Sequence, residues 1–554
     1  MEKIWFKNYP KGIPHEINPD EYSSIVDLFE KSCAKYRNLP AFVNMDKTIT
    51  FGDLDRLSRN FAAYLQNVLA LKKGDRIALQ MPNMLQYPVA LFGALRAGLV
   101  IVNTNPLYTP REMEHQFKDS GAKAVVILAN MAHNLEKVLK VTPIEHVIVT
   151  EIGDLLSFPK SLLVNFVVKR IKKMVPEFHI SSAIKFNDAL KIGASQSLRK
   201  VEVESSDLAF LQYTGGTTGV AKGAMLSHRN MVANMMQISA WMSQELEDGV
   251  EIVVTALPLY HIFSLTVNCL AFMCRGGKNL LITNPKDIPA FVAELKKHRF
   301  TIFPALNTLF TALCNNEAFC KEVNFSSLKA TVAGGMAVQV AVGERWKSVT
   351  GSPVLEGFGL TETSPVLTCN PLGRGEQLGT IGMPLPSTDV VILDDDENPV
   401  PQGTAGEICA KGPQVMRGYW NRDDETAKVM TRNGYFKTGD IAVMLPDGYF
   451  KIVDRKKDMI LVSGFNVYPN EVEDVAVKHP GVLEAAAIAV PDEKSGEAVK
   501  LFIVKKDPKL SEQDVILHCK QYLTNYKVPR YVVFRADLPK SNVGKILRKE
   551  LRNP

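Results

Sequence analysis

Short apolar runs alternate with helical patterns from the start of the chain to about residue 390. A clear example is the alternation of the apolar runs 76–79, 99–102 and 122–128 with the helical patterns 85–97 and 112–120. This βαβα order predicts a mostly parallel sheet with helices on its faces, because parallel strands need a crossover between them. The 554 residues suffice for about three or four domains or subdomains. The predicted fold class is therefore α/β, with mixed and parallel sheets.

Near residue 390 the pattern changes to short strands joined by tight turns. Asp447-Gly448 lies between the apolar runs 441–445 and 449–453. An Asp-Gly pair between apolar runs is a strong signal for a β-hairpin. We therefore predict a small β subdomain at the end of the larger domain.

A charged stretch at 454–458 is followed by an α+β pattern. Here the sequence predicts helices at 471–479 and 512–523 and strands at 483–490 and 499–504. We place the domain boundary at about residue 456, which gives an N-terminal domain of residues 1–456 and a small α+β domain of residues 457–554. From composition alone, the charged stretch is either a solvated turn or a hinge.

The composition is that of an ordinary globular protein, with 46% hydrophobic and 22% charged residues. These fractions exclude a disordered chain, a collagen-like fibre and a coiled coil. The chain has 65 Lys+Arg and 59 Asp+Glu, a formal net charge of +6. So small a surplus gives no reason to expect a nucleic-acid partner.

The eight cysteines include no C-x-x-C pair and none with the spacing of a zinc site. We expect unpaired thiols in a reducing compartment. The N-terminus lacks the apolar run of a signal peptide, and no stretch reaches the roughly 18 apolar residues of a membrane span. The expected location is cytoplasmic, with contact to a membrane surface left open.

The segment 158–176 combines apolar side chains at helical spacing with a cluster of basic residues. The apolar positions are Val164, Val167, Val168, Ile171, Met174 and Val175. The basic positions are Lys169, Arg170, Lys172 and Lys173. Such a helix is typical of peripheral binding to an anionic membrane, here the inner face of the plasma membrane. The alternative is a surface helix whose lysines are solvated.

The segment 213–223, YTGGTTGVAKG, is the strongest chemical motif. Its glycines let backbone N–H groups approach a polyphosphate, and its threonines and Lys222 add hydroxyl and cationic groups. It is not a Walker A loop, because Lys222 lies three residues after Gly219. The alternative is a generic glycine- and threonine-rich turn.

Three further segments are weak alone: 356–362 (EGFGLTE), 435–440 (YFKTGD) and 539–548 (PKSNVGKILR). The first places an aromatic residue between glycines and adds Glu362, a carboxylate suited to Mg²⁺. The second offers Asp440 to a ribose diol. In the third, Gly544 lets the chain turn and project Lys545. This basic tail is also compatible with nucleic acid, but no aromatic residue interleaves it.

Taken together and in this order, the four segments resemble the adenylate-forming superfamily of acyl-CoA synthetases, peptide-synthetase adenylation domains and luciferases. The resemblance covers essentially the whole chain. Ala221 stands where the family usually has proline, and Phe358 where it usually has tyrosine. The segment 454–473, DRKKDMILVSGFNVYPNEVE, is most similar to bacterial long-chain fatty-acid–CoA ligases.

The resemblance implies a two-step reaction that uses ATP, Mg²⁺ and coenzyme A. A long-chain fatty carboxylate attacks the α-phosphorus of ATP to give acyl-adenylate and pyrophosphate. The CoA thiol then attacks the acyl carbon and releases AMP. The small C-terminal domain is expected to be mobile and to rotate between the steps. The oligomeric state stays open, a homodimer included.

The resemblance also implies roles for individual residues. Lys545 is the main catalytic group at the α-phosphate, and His261 lies near the acyl carboxylate. Thr214 and Glu362 lie near Mg²⁺, and Lys457 is the hinge. The β- and γ-phosphates are expected to contact Gly215, Gly216, Thr217, Thr218, Gly219 and Lys222. The rest of the nucleotide is expected to contact Gly334, Gly335, Met336, Glu356, Gly357, Phe358, Gly359, Thr361, Asp440 and Arg455. The pantetheine channel is expected to be lined by Ser463, Gly464 and Phe465.

The segment around His261 favours an uncharged acyl chain. Its neighbours Ile262, Phe263 and Leu265 are apolar, and the aspartate that amino-acid-activating domains usually place here is missing. Leu265 stands where some long-chain ligases have a gate tryptophan. A histidine among apolar residues is otherwise a satisfied core residue.

Three alternatives remain from sequence. They are a CoA ligase for medium-chain or aryl acids, a luciferase-like monooxygenase, and a catalytically silent, membrane-associated lipid-binding protein. The presence of Lys545, Glu362 and Asp440 together argues against the silent protein. The resemblance favours fatty-acid degradation as the pathway, although phospholipid synthesis uses the same product.

Overall fold

The computed structural model describes residues 3–214, 221–373, 377–463, 465–492, 495–541 and 544–552. The strands in this part of the chain are β1 Pro40–Asn44, β2 Lys47–Thr50, β3 Arg76–Gln80, β4 Val100–Asn103, β5 Ala124–Leu128, β6 His146–Thr150, β7 Ile184–Lys185, β8 Leu208–Thr214, β9 Lys222–Ser227, β10 Ile252–Thr255, β11 Lys278–Leu281, β12 Ile302–Ala305, β13 Ala330–Ala333, β14 Val354–Gly359, β15 Val366–Cys369, β16 Met383–Pro384, β17 Asp389–Leu393, β18 Gly406–Lys411, β19 Phe436–Met444, β20 Phe450–Arg455, β21 Ile460–Val462, β22 Phe465–Val467, β23 Val482–Asp492, β24 Gly496–Lys505 and β25 Tyr531–Arg535.

The α-helices are α1 Ile25–Lys35, α2 Phe51–Asn67, α3 Gln86–Arg96, α4 Pro110–Ser120, α5 Ala132–Leu139, α6 Lys160–Phe166, α7 Phe186–Ala194, α8 His228–Trp241, α9 Ala271–Cys274, α10 Ile288–Leu295, α11 Asn307–Cys314, α12 Glu317–Glu322, α13 Val340–Thr350, α14 Asp423–Lys428, α15 Pro469–Ala476, α16 Glu512–Tyr522 and α17 Arg548–Arg552. Two π-helical turns, Val167–Ile171 and Ser264–Leu270, continue α6 and precede α9. Short 3₁₀ turns occupy Ile4–Asn8, Ala129–Met131, Thr361–Thr363 and Asn525–Lys527.

Two large sheets, mostly parallel, form the N-terminal part. One has the order β7-β6-β5-β3-β4-β8-β9, and the other β16-β15-β14-β13-β12-β10-β11-β1-β2. Antiparallel pairing is confined to the ends, at β8–β9, β1–β2 and β14–β15–β16. The predicted α/β class with mixed and parallel sheets is therefore confirmed. The two sheets share one buried cluster, which contains Ile77 of β3 and Val253 of β10 and in which Phe29 stacks on Phe92 at 4.3 Å.

Local signals in the sequence explain why several predicted elements form where they do. The helix predicted at 112–120 is α4, which begins with a reciprocal capping box between Thr109 and Glu112 and has Pro110 in its first turn. It ends at Gly121, whose φ of 62° is the left-handed conformation that glycine adopts readily.

The predicted hairpin at Asp447-Gly448 is confirmed by the antiparallel pair β19–β20. Gly448 has a φ of 83°, and a Cβ there would lie 2.6 Å from Trp5 Cα. Together, β17, β18, β19 and β20 form the small antiparallel sheet of the predicted β subdomain.

The C-terminal region builds a separate sheet, in the order β22-β21-β24-β23 with β25 beside β24. Its own buried cluster includes Ile460, Val472, Leu501 and Val515. The predicted strands and helices of this region correspond to β23, β24, α15 and α16. A core of its own is in keeping with a domain boundary near residue 456, which stays a prediction.

The structure corrects the prediction for the segment 158–176. The helix covers Lys160–Phe166 and passes into the π-helical turn that ends at Ile171, so it is shorter than predicted. A π turn has a longer repeat than an α-helix and breaks the 3.6-residue spacing on which the predicted apolar face rests. Val164 packs inward, whereas the exposed apolar side chains are Phe158, Leu162, Leu163, Phe166, Ile171 and Met174.

All eight cysteines are free, and most of them are buried. None of the helices in the described ranges combines the length and apolar character needed to cross a membrane.

Candidate active site

A cavity of about 1970 Å³ extends from the ends of β8, β13 and β14 to β19, β20 and the C-terminal tail. The predicted site residues that line it are Thr214, Lys222, His261, Gly334, Gly335, Met336, Glu356, Gly357, Phe358, Gly359, Thr361, Glu362, Asp440, Arg455, Lys457 and Lys545. Gly215, Gly216, Thr217, Thr218, Gly219 and Gly464 lie outside the described residues. Residues from four separated motifs thus converge on one space.

Lys545 reaches the cavity from a tight turn that the sequence predicts. Gly544 N–H donates to the Ser541 carbonyl (2.8 Å), and Lys545 N–H donates to Ser541 Oγ (3.1 Å). Gly544 has a φ of 81°, and a Cβ there would lie 2.4 Å from Thr308 Oγ1 of α11. Gly544 therefore packs directly against α11, and its positive φ and this close approach both favour glycine at position 544.

The Lys545 ammonium lies in a strongly charged environment. Burial, followed by the Arg455 cation, lowers the pKa of Lys545 to about 8, while Asp440 acts in the opposite direction. The ammonium is therefore still protonated near neutral pH. A cation that is partly desolvated and incompletely neutralised is suited to an incoming phosphate.

Asp440 offers one free oxygen to a ligand. Its Oδ1 pairs with Arg455 Nε at 3.1 Å. Its Oδ2 is buried and has no hydrogen-bond partner among the described residues. Burial raises the pKa of Asp440, and the Arg455 cation opposes that rise. A buried acceptor without a partner is uncommon in a native fold, and it fits the ribose hydroxyl predicted for this position.

His261 is held as a neutral hydrogen-bond donor. Burial, assisted by the Lys545 cation, lowers the pKa of His261 to about 4. Phe263 N–H donates to His261 Nδ1 at 3.3 Å, so the ring proton lies on Nε2. A neutral Nε2–H that lines the cavity can donate to a carboxylate or phosphate oxygen.

Glu362 and Thr214, the two residues expected near Mg²⁺, both line the cavity. Glu362 belongs to the 3₁₀ turn after β14, and its Oε1 accepts from the Tyr419 hydroxyl at 2.7 Å. The described residues contain no group of three or more His, Cys, Asp or Glu that could hold a metal ion by themselves. One carboxylate and one hydroxyl fit Mg²⁺, which usually completes its shell with water and substrate phosphates.

Lys222 faces Thr214 across β8 and β9, at the two ends of the glycine-rich loop. Its ammonium forms an ion pair with Glu425 of α14 and lies 5.0 Å from the centre of the Tyr419 ring. The sequence analysis missed Tyr419 and Glu425. Their positions depend on pairing between β9 and the segment 416–420, which no local pattern reveals.

The predicted adenine contacts need one refinement. Glu356 is buried, and its carboxylate accepts from Val338 N–H (3.0 Å) and Gly379 N–H (2.9 Å). Both oxygens are therefore engaged with the backbone, so this side chain shapes the cavity wall instead of presenting a free acceptor. Phe358 is partly exposed to the cavity, as its predicted role requires.

Two predicted CoA residues lie away from the cavity. Ser463 N–H donates to the Ser495 carbonyl at 2.8 Å. Phe465 is 59% exposed and stacks on Tyr526 with ring centres 5.0 Å apart. Lys545 thus lies at the cavity while the β21–β22 hairpin lies outside it.

Apolar side chains line a further part of the cavity: Ile238, Trp241, Met242, Leu257, Ile262, Phe263, Val267, Leu372 and Leu385. Such a lining suits an uncharged hydrocarbon group. Leu265 is fully buried and is not part of it. Ile262 and Phe263 were expected from the sequence, whereas the other lining residues cannot be distinguished from ordinary core positions by sequence alone.

Comparison with known proteins gives matches along most of the chain. The family model "AMP-binding enzyme" matches residues 29–420, and "AMP-binding enzyme C-terminal domain" matches residues 471–545. A long-chain-fatty-acid–CoA ligase of Escherichia coli is 59% identical over 553 residues, covering 100% of this chain and 98% of that protein. The proteins of the same name in Haemophilus influenzae and Bacillus subtilis are 53% and 35% identical, covering 100% and 99% of this chain and 98% of each relative.

Solved structures show the same fold. The anthranilate CoA ligase AuaEII in complex with anthranoyl-AMP superposes with a TM-score of 0.85 at 24% identity, covering 97% of this chain and 98% of that one. ATP-bound MatB from Rhodopseudomonas palustris gives a TM-score of 0.81 at 27% identity, covering 95% and 98%. With two family models and full-length relatives in agreement, the chain belongs to the family of AMP-binding enzymes.

Proposed function

We propose that the protein is a long-chain fatty-acid–CoA ligase. It converts fatty acid, ATP and CoA to acyl-CoA, AMP and pyrophosphate through an acyl-adenylate, and it uses Mg²⁺. The observation that carries the proposal is the convergence of Lys545, His261, Asp440 and Glu362 on one cavity that also has an apolar lining. Sequence identities of 59% and 53% over the full chain to proteins of this name support a long-chain fatty acid as the substrate.

In the first step, negative charge develops on the α-phosphate oxygens. The Lys545 ammonium stabilises that charge, and His261 Nε2–H orients the attacking carboxylate. Asp440 fixes the ribose, so that the α-phosphorus and the carboxylate are held in line. Positioning and electrostatic stabilisation supply most of the catalysis in phosphoryl transfer, and we assign the same contributions here.

Glu362 and Thr214 would hold Mg²⁺, with Tyr419 orienting the carboxylate of Glu362. When bound, the ion neutralises charge on the phosphates. Lys222 and the glycine-rich loop would bind the β- and γ-phosphates and keep pyrophosphate in place as it leaves.

In the second step, the C-terminal domain rotates about Lys457. The rotation withdraws Lys545 and brings Ser463, Gly464 and Phe465 to the pantetheine channel. The separation of Phe465 from the cavity supports this role, because the hairpin has to move before it can contact CoA.

The direct test of the proposed reaction is product analysis with palmitate, ATP, CoA and Mg²⁺. Palmitoyl-CoA, AMP and pyrophosphate should form in equal amounts. Formation of ADP, or thioester formation with benzoate but not palmitate, would overturn the proposal.

We also propose that the exposed segment around α6 contacts the cytoplasmic face of the membrane. Leu162, Leu163 and Phe166 are 63%, 61% and 57% exposed. The exposed basic side chains at 169–173 lie next to them. Apolar insertion together with attraction to anionic lipid is the usual basis of peripheral binding.

The double variant Leu162→Asp/Leu163→Asp should float several-fold less with phosphatidylglycerol-containing vesicles than the wild type. Both side chains are exposed, so the fold should not change. The matched control is Leu517→Asp/Tyr522→Asp on α16, where two exposed apolar side chains, 51% and 62% exposed, are replaced in the same way. Equal flotation of both variants and the wild type would exclude the segment around α6 as the membrane-binding surface.

A further inference from the structure

Lys222 has an anionic partner within the protein itself. Its ammonium forms an ion pair with Glu425, and both side chains are partly exposed, with 14% and 22% exposure. The Lys222 cation lowers the pKa of Glu425 to about 2, and Lys428 adds to this effect. Lys222, which we propose to bind the polyphosphate, is therefore paired with the Glu425 carboxylate.

This pairing is built into the backbone. Met225 N–H donates to the Gly418 carbonyl (2.9 Å), and Trp420 N–H donates to the Gly223 carbonyl (2.8 Å). These bonds align the segment that precedes α14 with the start of β9. Tyr419 N–H also donates to Thr426 Oγ1 at 2.9 Å, which ties the segment to α14 itself. Glu425 is thus presented to Lys222 by two fixed elements.

Glu425 has a second cationic partner. Lys428 Nζ lies 2.7 Å from Glu425 Oε1, whereas Lys222 contacts Oε2. If Lys222 turned toward a phosphate, the carboxylate would keep Lys428. When Lys222 exchanges Glu425 for a phosphate, the Glu425 carboxylate is therefore not left unpaired, and this lowers the free-energy cost of breaking the Lys222–Glu425 pair.

We propose that Glu425 is a displaceable counter-ion for Lys222. Its carboxylate holds the ammonium while no polyphosphate is bound and releases it to the β- and γ-phosphates when ATP enters. It competes for the ammonium again as pyrophosphate leaves, so it weakens product binding. Glu425 is a positioning residue that acts through Lys222. This inference rests on the proposed function, because it requires polyphosphate at the glycine-rich loop.

The test is titration calorimetry of inorganic pyrophosphate and ATP, each with Mg²⁺ and without fatty acid or CoA. Glu425→Gln keeps the size of the side chain and removes the competing charge. It should bind pyrophosphate about two- to five-fold more tightly than the wild type, the range for a partly exposed ion pair. Inhibition of the overall reaction by pyrophosphate should strengthen by the same factor, and the difference should shrink at high salt.

Asp424→Asn is the matched control. It removes a carboxylate from the same turn of α14, but Asp424 is 70% exposed and pairs only weakly with Lys428, at 3.6 Å. This variant should bind pyrophosphate as the wild type does. Unchanged or weaker binding in Glu425→Gln, with ATP still bound by the wild type, would overturn the counter-ion role alone. Absence of ATP binding in the wild type would overturn the proposed function as well.

Discussion

Replacing Lys545 by alanine should reduce acyl-adenylate formation by about two to three orders of magnitude, the usual loss when one preorganised transition-state donor is removed. Thioester formation from preformed acyl-adenylate and CoA should remain close to the wild-type rate. The reason is that Lys545 lines the cavity in this structure, whereas the proposed rotation of the C-terminal domain withdraws it before the second step. The two half-reactions are measured separately, by ATP–pyrophosphate exchange and by CoA thioester release.

The control is Lys540→Ala in the same tail. Lys540 pairs with Glu484 at 2.6 Å and does not line the cavity, so both half-reactions should be unchanged. Equal loss of both half-reactions in Lys545→Ala would contradict the assigned role.

The pH dependence of exchange follows from the same lysine. Because burial and Arg455 lower the pKa of Lys545 to about 8, the ammonium is charged at pH 7 and loses its proton as the pH rises through that value. Exchange in the wild type, measured as kcat/KM for ATP, should therefore fall on the alkaline side of about pH 8. The residual activity of Lys545→Ala should lack this alkaline decline.

Replacing Lys457 by proline should have the opposite effect on the two half-reactions, with adenylation retained and thioester formation impaired. Proline fixes φ near −65°, so a domain rotation that requires a change of φ at this position is blocked. If Lys457 is the hinge, adenylation proceeds from the observed arrangement, whereas thioester formation falls by about 100-fold, as expected when reacting groups are misplaced. Lys457→Ala is the control. It removes the side chain that lines the cavity but leaves φ free, so it distinguishes the effect of losing the side chain from the effect of fixing the backbone. A proline variant that lost both half-reactions equally would contradict the hinge.

The larger part of the fold was predictable because its signals are local. The strands β3, β4 and β5 are apolar runs buried in a parallel sheet, and α4 carries its capping box in the sequence. The short strands β21 and β22, with three residues each, carry too little pattern to be recognised. The apolar face of 158–176 was predicted wrongly because a π-helical turn interrupts the spacing.

The site residues also fall into two groups, those marked by a local sequence pattern and those positioned by contacts distant in sequence. Glycine-rich turns and single polar residues at fixed spacing mark the proposed nucleotide site in the sequence, and those among the described residues mostly line the cavity. Tyr419 and Glu425 were not predicted, because they contact Lys222 only through the pairing of β9 with the segment 416–420, which is distant in sequence. Of the apolar lining, the sequence indicated only Ile262 and Phe263, because a residue such as Trp241 has the same apolar character in a cavity wall as in a core.

The most direct measurement of the central claim is carboxylate-dependent ATP–pyrophosphate exchange without CoA. The acids to compare are acetate, octanoate, palmitate, oleate, benzoate and several amino acids, all with Mg²⁺. Our account predicts that exchange peaks with palmitate or oleate and is lost in Lys545→Ala. Folded protein that supports no exchange with any of these acids, or exchange that peaks with an acid other than palmitate or oleate, would contradict it.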